Sequence, residues 1–401
     1  MAHVVRDANR AALPRGGAGR GATAQRLIRL AGVSFVVAGI AVSAGAALAG
    51  SAPAKPAKPA APLPTMRVHF LDVGQGAATL LEFPCGAMLV DTGGEEDSDF
   101  HSTPQLVAYL DAFFARRTDL NRTLDVLLLT HPHIDHVRGA PTVLSTYTVK
   151  NIVDDGRRGV QEEAVAAMRM VRDFEADHTD LPHLSVALSE FPADGSPLES
   201  PVLDPFPECK GVNPRILALW GGVQSDPGWG DDDYGKARYD NDNNHSIVSR
   251  VEFGKASLLI TGDLEEVAIG DLLGRRAPAL LDVDLYEVGH HGSANGTTSA
   301  LMQEMSPSYA VMEVGPSTRR HSWTAWAYGH PRSSTIDRLV SGVSGTREPV
   351  PEPIATGMTS FFSYTIEKAI YATGWDGTVV LEAASDGTIA GGKPDFTPPA
   401  P

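Results

Sequence analysis

The chain has 401 residues, 42% of them apolar, two cysteines and a formal net charge of −16. That length and apolar content permit one large globular domain or two ordinary ones and exclude a chain disordered throughout. The acidic balance disfavours tight, sequence-independent binding to nucleic acid, which needs Lys and Arg to neutralise phosphates, but a small or locally presented phosphodiester remains compatible.

Arginines from Arg6 to Arg29 precede an apolar stretch, Leu30 to Ala49, that ends in Ala47-Leu48-Ala49. The pattern predicts a secretory signal segment over 1–49, and hence an extracytoplasmic protein free of the membrane once cleaved. An N-terminal membrane anchor is the alternative, because about twenty apolar residues approach the length that spans a bilayer. The stretch is rich in Ala, Gly and Ser, and this weak hydrophobicity favours cleavage. Its removal takes six arginines and one aspartate, which leaves 27 basic against 48 acidic residues and a net charge of −21. Residues 50–65, with repeated Ala-Pro-Ala-Lys units, read as a stiff spacer. Cys85 and Cys209 fit an exported protein with one disulfide, and two separate buried thiols fit equally well.

From Met66, three short apolar runs joined by Gly74-Gln75-Gly76 and Pro84-Cys85-Gly86 predict an antiparallel meander ending at Asp91. Gln105 to Phe114 has helical spacing, and Asp125 to Thr130 reads as a buried strand. Directly after it stands His131-Pro132-His133-Ile134-Asp135-His136, three imidazoles and a carboxylate within six residues. His131 and His133, two apart on an extended segment, project the same way, while Asp135 and His136 follow a bend. Two metal ions are expected there, because unpaired ionisable groups are rarely buried together.

Residues 151–243 are less regular and read as an insertion over the site, with a helix from Glu162 to Phe174. Asp231-Asp232-Asp233 reads as a solvated acidic loop, since it lacks the spaced oxygen ligands and glycine of a calcium loop. Regular structure resumes with strands over Ser246–Phe253, Ser257–Thr261 and Leu280–Val288, a helix over Ser299–Met305 and a strand over Tyr309–Val314. Two halves whose strands end in Asp or His describe an α+β fold, a four-layer αββα sandwich over 66–390, before a flexible tail at 391–401.

The His131-to-His136 signature, with Asp91 upstream and Thr261-Gly262-Asp263 downstream, resembles the metallo-β-lactamase superfamily. Leu71-Asp-Val-Gly-Gln-Gly76, Leu89-Val-Asp-Thr-Gly93, Asn243-Asn-His-Ser-Ile-Val248 and His290-His-Gly-Ser293 resemble, more narrowly, the hydrolase domain of ComEC-type competence proteins and the related phosphorylcholine esterases. The resemblance implies that His131 and His133 hold one ion, Asp135 and His136 the other, and Asp263 both. One of His290 and His291 completes the second site, His290 being favoured. Asp91 would orient a ligand or the reactive water. His245 is a possible further ligand, a satisfied structural histidine being its alternative. Ala77 replaces an acidic residue often found after the glycine turn. His330 would contact substrate or leaving group, or serve only as a turn histidine.

The expected chemistry is hydrolysis of a nucleic-acid or phosphocholine-type phosphodiester by water activated between two divalent ions, with Asp91, Asp135 and His330 as catalytic residues. Imidazole and carboxylate donors make zinc the default and manganese an alternative. A lactone, thioester or β-lactam hydrolase on the same centre, and a non-catalytic metal-binding envelope module, are the competing readings.

Overall fold

The computed structural model describes residues 62–223, 239 and 241–392. The signal segment, most of the spacer, the Asp231–Asp233 run and the tail from 393 lie outside the described residues. Among the described residues no helix is long and apolar enough to cross a membrane.

The first half runs β1 (Thr65–Phe70), β2 (Thr79–Phe83), β3 (Gly86–Val90), α1 (Ser102–Arg116), β4 (Thr123–Leu124), β5 (Val126–Leu128), α2 (Ile134–Val137), α3 (Ala140–Thr146), β6 (Thr148–Val149), β7 (Ile152–Asp154), α4 (Glu162–Asp177) and β8 (His183–Ser185). The second half runs β9 (Arg215–Trp220), β10 (Val248–Phe253), β11 (Ala256–Ile260), α5 (Glu266–Arg275), α6 (Pro278–Leu281), β12 (Leu285–Glu287), α7 (Ser299–Glu304) and β13 (Tyr309–Met312). It continues through α8 (Ala325–Tyr328), α9 (Ser333–Gly342), β14 (Thr346–Gly357), β15 (Ser360–Lys368), β16 (Ile370–Ala372), α10 (Thr373–Asp376), β17 (Val379–Ala384) and β18 (Ile389–Gly391).

An eight-stranded sheet has the order β18-β17-β1-β2-β3-β5-β7-β8, and a six-stranded sheet the order β16-β13-β12-β11-β10-β9. Each begins as an antiparallel meander and continues as parallel strands: β3, β5, β7 and β8 in the first, β11, β12, β13 and β16 in the second. Strands β2, β3 and β5 are buried along their whole length, so both faces of the first sheet are covered. Alternation decides what each face meets. Met88, Val90, Val126 and Leu128 pack with the second sheet's Leu217, Val251 and Leu258. Ala87, Leu89 and Leu127 pack with Leu106, Leu110 and Phe113 of α1 and with α3 and α4. The α5 and α7 side chains Ile269, Leu272 and Leu301 belong to the first of these cores, which completes the αββα sandwich.

Three features depart from the sequence reading or resolve it. The stretch read as an insertion over the site supplies β7, α4 and β8 to the first half and β9 to the second sheet, so it is woven into both. The strand expected over Leu280–Val288 is instead α6 followed by the shorter β12, because Pro278 favours a helix start and Asp282 and Asp284 interrupt the apolar run. Cys85 and Cys209 form a disulfide, joining the turn after β2 to the segment before β9.

Candidate metal centre

The donors sit at the carboxyl ends of the parallel strands: Asp91 after β3, His131 after β5, Asp263 after β11, His290 and His291 after β12. Buried strands have few polar positions of their own, so the polar residues gather where the chain leaves the sheet. The segment from His131 to His136 is clamped by the two preceding loops. Ala77 N donates to Asp135 O at 3.1 Å, Thr92 N to His136 O at 2.7 Å, and Gly93 N to Ala77 O at 2.7 Å. A side chain on Gly94 would collide with the Asp135 backbone, and one on Gly76 with the Asp135 carbonyl. The glycine turns are therefore needed for this approach.

Two donor groups result, each with its atoms within 4.8 Å of one another: His131, His133 and Asp263, and Asp135, His136, Asp263 and His291. Asp263 belongs to both. His136 Nε2 lies 3.2 Å from its Oδ1, His291 Nε2 3.5 Å, and His131 Nε2 3.9 Å from its Oδ2. His291 Nε2 is also 3.4 Å from Asp135 Oδ2. His131 Nε2, His136 Nε2, His291 Nε2 and Asp263 Oδ1 are buried without a hydrogen-bond partner. Orphaned buried donors of this kind are costly unless something bound satisfies them. The residues present therefore fit a pair of divalent ions.

The outward-facing nitrogens confirm this orientation. His136 Nδ1 bonds Asp91 Oδ2 at 2.7 Å, and His291 Nδ1 bonds the Glu313 carbonyl at 2.7 Å, which leaves each Nε2 facing the centre. Asp91, at φ 58°, also accepts from Thr130 N and Thr130 Oγ1 at 2.7 Å each. It thus fixes His136 and Thr130 from behind, and both its oxygens are engaged.

Burial opposes every charge here, and mutual pairing decides the outcome. Asp263 lies well below the usual carboxylate range, since His291, His136 and His290 outweigh its burial. His136 lies well above its ordinary value despite burial, because Asp263 and Asp91 flank it. His291, also buried, is pushed up to about 10 by Asp263 and Asp135. His131 is driven well below its ordinary value by burial and by the neighbouring His136 and His133.

The remaining sequence candidates divide. His290, favoured over His291, is in neither the four-residue nor the three-residue group, although its Nε2 is 3.6 Å from Asp263 Oδ2; its Nδ1 contacts Asn295 Oδ1 at 3.1 Å. Both histidines have left-handed backbones and their side chains diverge, so His291 enters the four-residue group. His245 is not among the donors. Its Nδ1 accepts from Val223 N and its Nε2 contacts the Tyr239 carbonyl, both at 2.8 Å, and burial lowers its pKa to about 4. His330 lines the cavity beside the centre, stacked on Tyr328 with ring centroids 5.6 Å apart, and its buried Nδ1 has no partner. Burial, followed by the nearby His290 and His291, holds it well below its ordinary value.

Thr130, Glu287 and Glu313 were not singled out from sequence. Glu313 Oε1 accepts from Ala78 N at 2.8 Å and its Oε2 from Thr79 Oγ1 at 2.9 Å, tying the second sheet to the start of β2. Glu287 accepts from Thr261 N at 2.8 Å, and burial pushes its carboxyl up to about 7. A carboxylate ending an apolar strand, as in Tyr286-Glu287-Val288 and Met312-Glu313-Val314, was the available signal.

The centre opens into a cavity of about 480 Å³ lined by Gln75, Glu95, Arg138, Glu162, Asn243, Trp323, Tyr328 and His330 among others. Residues 71–312 match the metallo-beta-lactamase superfamily, and the chain belongs to it. Recombination protein 2 of Haemophilus influenzae is 26% identical over 69% of this chain and 26% of its own length. ComE operon protein 3 of Bacillus subtilis is 25% identical over 68% of this chain and 30% of its own. The resemblance to ComEC-type competence proteins is thereby met, although the chain spans less than a third of these relatives. Among solved structures, the metallo-beta-lactamase fold protein YhfI of Bacillus subtilis aligns over 75% of this chain and 99% of that one, at 13% identity and a TM-score of 0.36.

Proposed function

We propose that the protein is an exported hydrolase that uses two divalent ions, zinc by default and manganese as the alternative, to cleave a phosphodiester bond. The observation that carries the reading is the convergence of His131 Nε2, His136 Nε2, His291 Nε2 and Asp263 Oδ1, buried and without partners, at the head of a cavity. The phosphodiester part rests on the His290-His-Gly-Ser293 subtype. The Cys85–Cys209 disulfide supports an oxidising compartment.

His131, His133 and Asp263 would hold one ion, and Asp135, His136, His291 and Asp263 the other. Bound there, such ions lower the pKa of water toward neutrality and polarise a phosphoryl oxygen. The chain's own residues do the rest. Asp91 and the Glu313 carbonyl fix the two ring orientations, and Asp135 borders the space where substrate enters. His330, which lines the cavity beside the centre, would contact the leaving group.

The test is turnover of bis(p-nitrophenyl) phosphate, DNA and choline phosphodiesters with Zn²⁺ or Mn²⁺. No turnover of any, or full turnover after His131→Ala combined with Asp263→Ala, sinks the reading. Preference for lactones, thioesters or β-lactams would move the same centre to carboxylic substrates. Fewer than about one ion per chain after gentle purification would favour a non-catalytic envelope module.

A further inference from the structure

Asp135 and His291 share one donor group, although Asp135 lies in α2, after a strand of the first sheet, and His291 follows β12 of the second. Donors about 2.0–2.1 Å from one tetrahedral zinc ion stand about 3.3–3.4 Å apart, by bond length and angle alone. In this group His136 Nε2 lies 3.2 Å and His291 Nε2 3.5 Å from Asp263 Oδ1, and His291 Nε2 lies 3.4 Å from Asp135 Oδ2. The spacing across the two sheets therefore already suits a shared ion, and a relative displacement of about 0.5 Å would spoil it.

Glu313, buried directly after β13, touches both sides of that gap. Its carbonyl accepts from His291 Nδ1 at 2.7 Å. Its carboxylate crosses to the first sheet, where Oε1 accepts from Ala78 N at 2.8 Å and Oε2 from Thr79 Oγ1 at 2.9 Å. The neighbouring Ala77 donates its N–H to Asp135 O at 3.1 Å and accepts from Gly93 N at 2.7 Å. A continuous route thus runs from the Asp135 backbone through Ala77 and Ala78 to the Glu313 carboxylate, and from the Glu313 carbonyl to the His291 ring. A second contact supports the same joint. A Cβ added at Gly315 would stand 2.9 Å from Gln75 N, so the chain leaving β13 lies against the glycine turn that precedes Ala77.

We propose that Glu313 is a positioning residue for the ion held by Asp135, His136, His291 and Asp263, its carboxylate fixing the first sheet and its carbonyl the second. The proposal rests on the two-ion reading of the centre and not on the identity of the substrate. His131 and His133 lie off this route, so the other ion should not feel it. The test is Zn²⁺ binding by the full chain, read by competition with a chelator that resolves two affinities. Glu313→Ala should weaken one ion about 10–100-fold, the size expected when a group orienting a ligand is removed, and leave the other unchanged. Combined with His291→Ala it should lose nothing further, since both act on one ion. Glu313→Gln should bind both ions within about twofold of the native protein, because its amide oxygen still accepts from Ala78 N and its NH2 donates to Thr79 Oγ1.

Glu82→Gln, which disturbs a buried ion cluster of the same sheet, should leave both affinities unchanged. Equal weakening of both ions by Glu313→Ala, no weakening of either, a Gln variant as poor as the Ala variant, or the same selective loss in Glu82→Gln would overturn the proposal. Should Glu313→Ala fail to fold, Thr79→Val decides, since it removes the Oε2 contact alone. Selective weakening of the same ion then supports the proposal, and unchanged affinities overturn it. A native protein that binds a single ion would overturn the two-ion reading together with the proposal, whereas two ions without a selective effect would overturn the proposal alone.

Discussion

The two halves of the centre are assembled in different ways. In the first half, His131, His133, Asp135 and His136 lie within six residues, between a buried strand and a short helix, and two glycine turns hold the segment. In the second, Asp263 and His291 come from different strand ends 28 positions apart and meet only because β11 and β12 run parallel in register, Leu258 beside Leu285. A locally dense half can be read from its spacing, whereas a half built across strands depends on pairing. Asp263 joins the two.

Breaking that joint should have the largest effect. Asp263→Ala removes a donor from both groups and should lower turnover by about 10³-fold, several kcal/mol of lost transition-state stabilisation, with less than one ion retained in metal analysis. The second half can then be dissected. His291→Ala should lose one of two ions while His290→Ala keeps both, and equal losses would show that the pair shares the role. Support behind the first half comes next. Asp91→Asn, which replaces an acceptor of His136 Nδ1–H and Thr130, should weaken metal affinity about 10–100-fold, measured by competition with a chelator.

The first half also rests on a buried ion cluster in its own sheet. Glu82 bonds His69, Arg116 and Arg117, and despite its burial these partners hold its carboxyl well below the usual range. A lowered folded-state pKa gives stability that is complete above the unfolded value near 4.5 and is lost as pH falls toward the folded value. Glu82→Gln should therefore cost about 3 kcal/mol in denaturant unfolding at pH 7, and the gap from the native protein should narrow below about pH 4. The smallest effect on the centre is expected at His245. His245→Gln should leave the metal content unchanged, because both ring nitrogens serve backbone groups.

The same contrast explains how much was legible in the sequence. The meander β1–β3, the helices α1 and α4, and the segment from His131 to His136 follow from short-range periodicity and turn residues. That His291 falls in the four-residue group did not, because it depends on two left-handed residues and on the Glu313 carbonyl, 22 positions away, receiving Nδ1. His245 stood close enough to the family motif to be a candidate, and only the neighbouring Val223 and Tyr239 backbones take its nitrogens. Glu313 and Glu287 read as ordinary strand ends until the sandwich buries them behind the centre.

By itself the sequence determined which chemistry was available, because imidazoles and carboxylates at strand ends, with glycines before them, give the chain a cluster able to hold metal. Tertiary structure decided which donors face inward, that Cys85 meets Cys209, and that the cavity is rimmed by glutamates and aromatics. Those outcomes depend on strand register and on the direction of side chains far apart in the chain, neither of which is encoded in local spacing.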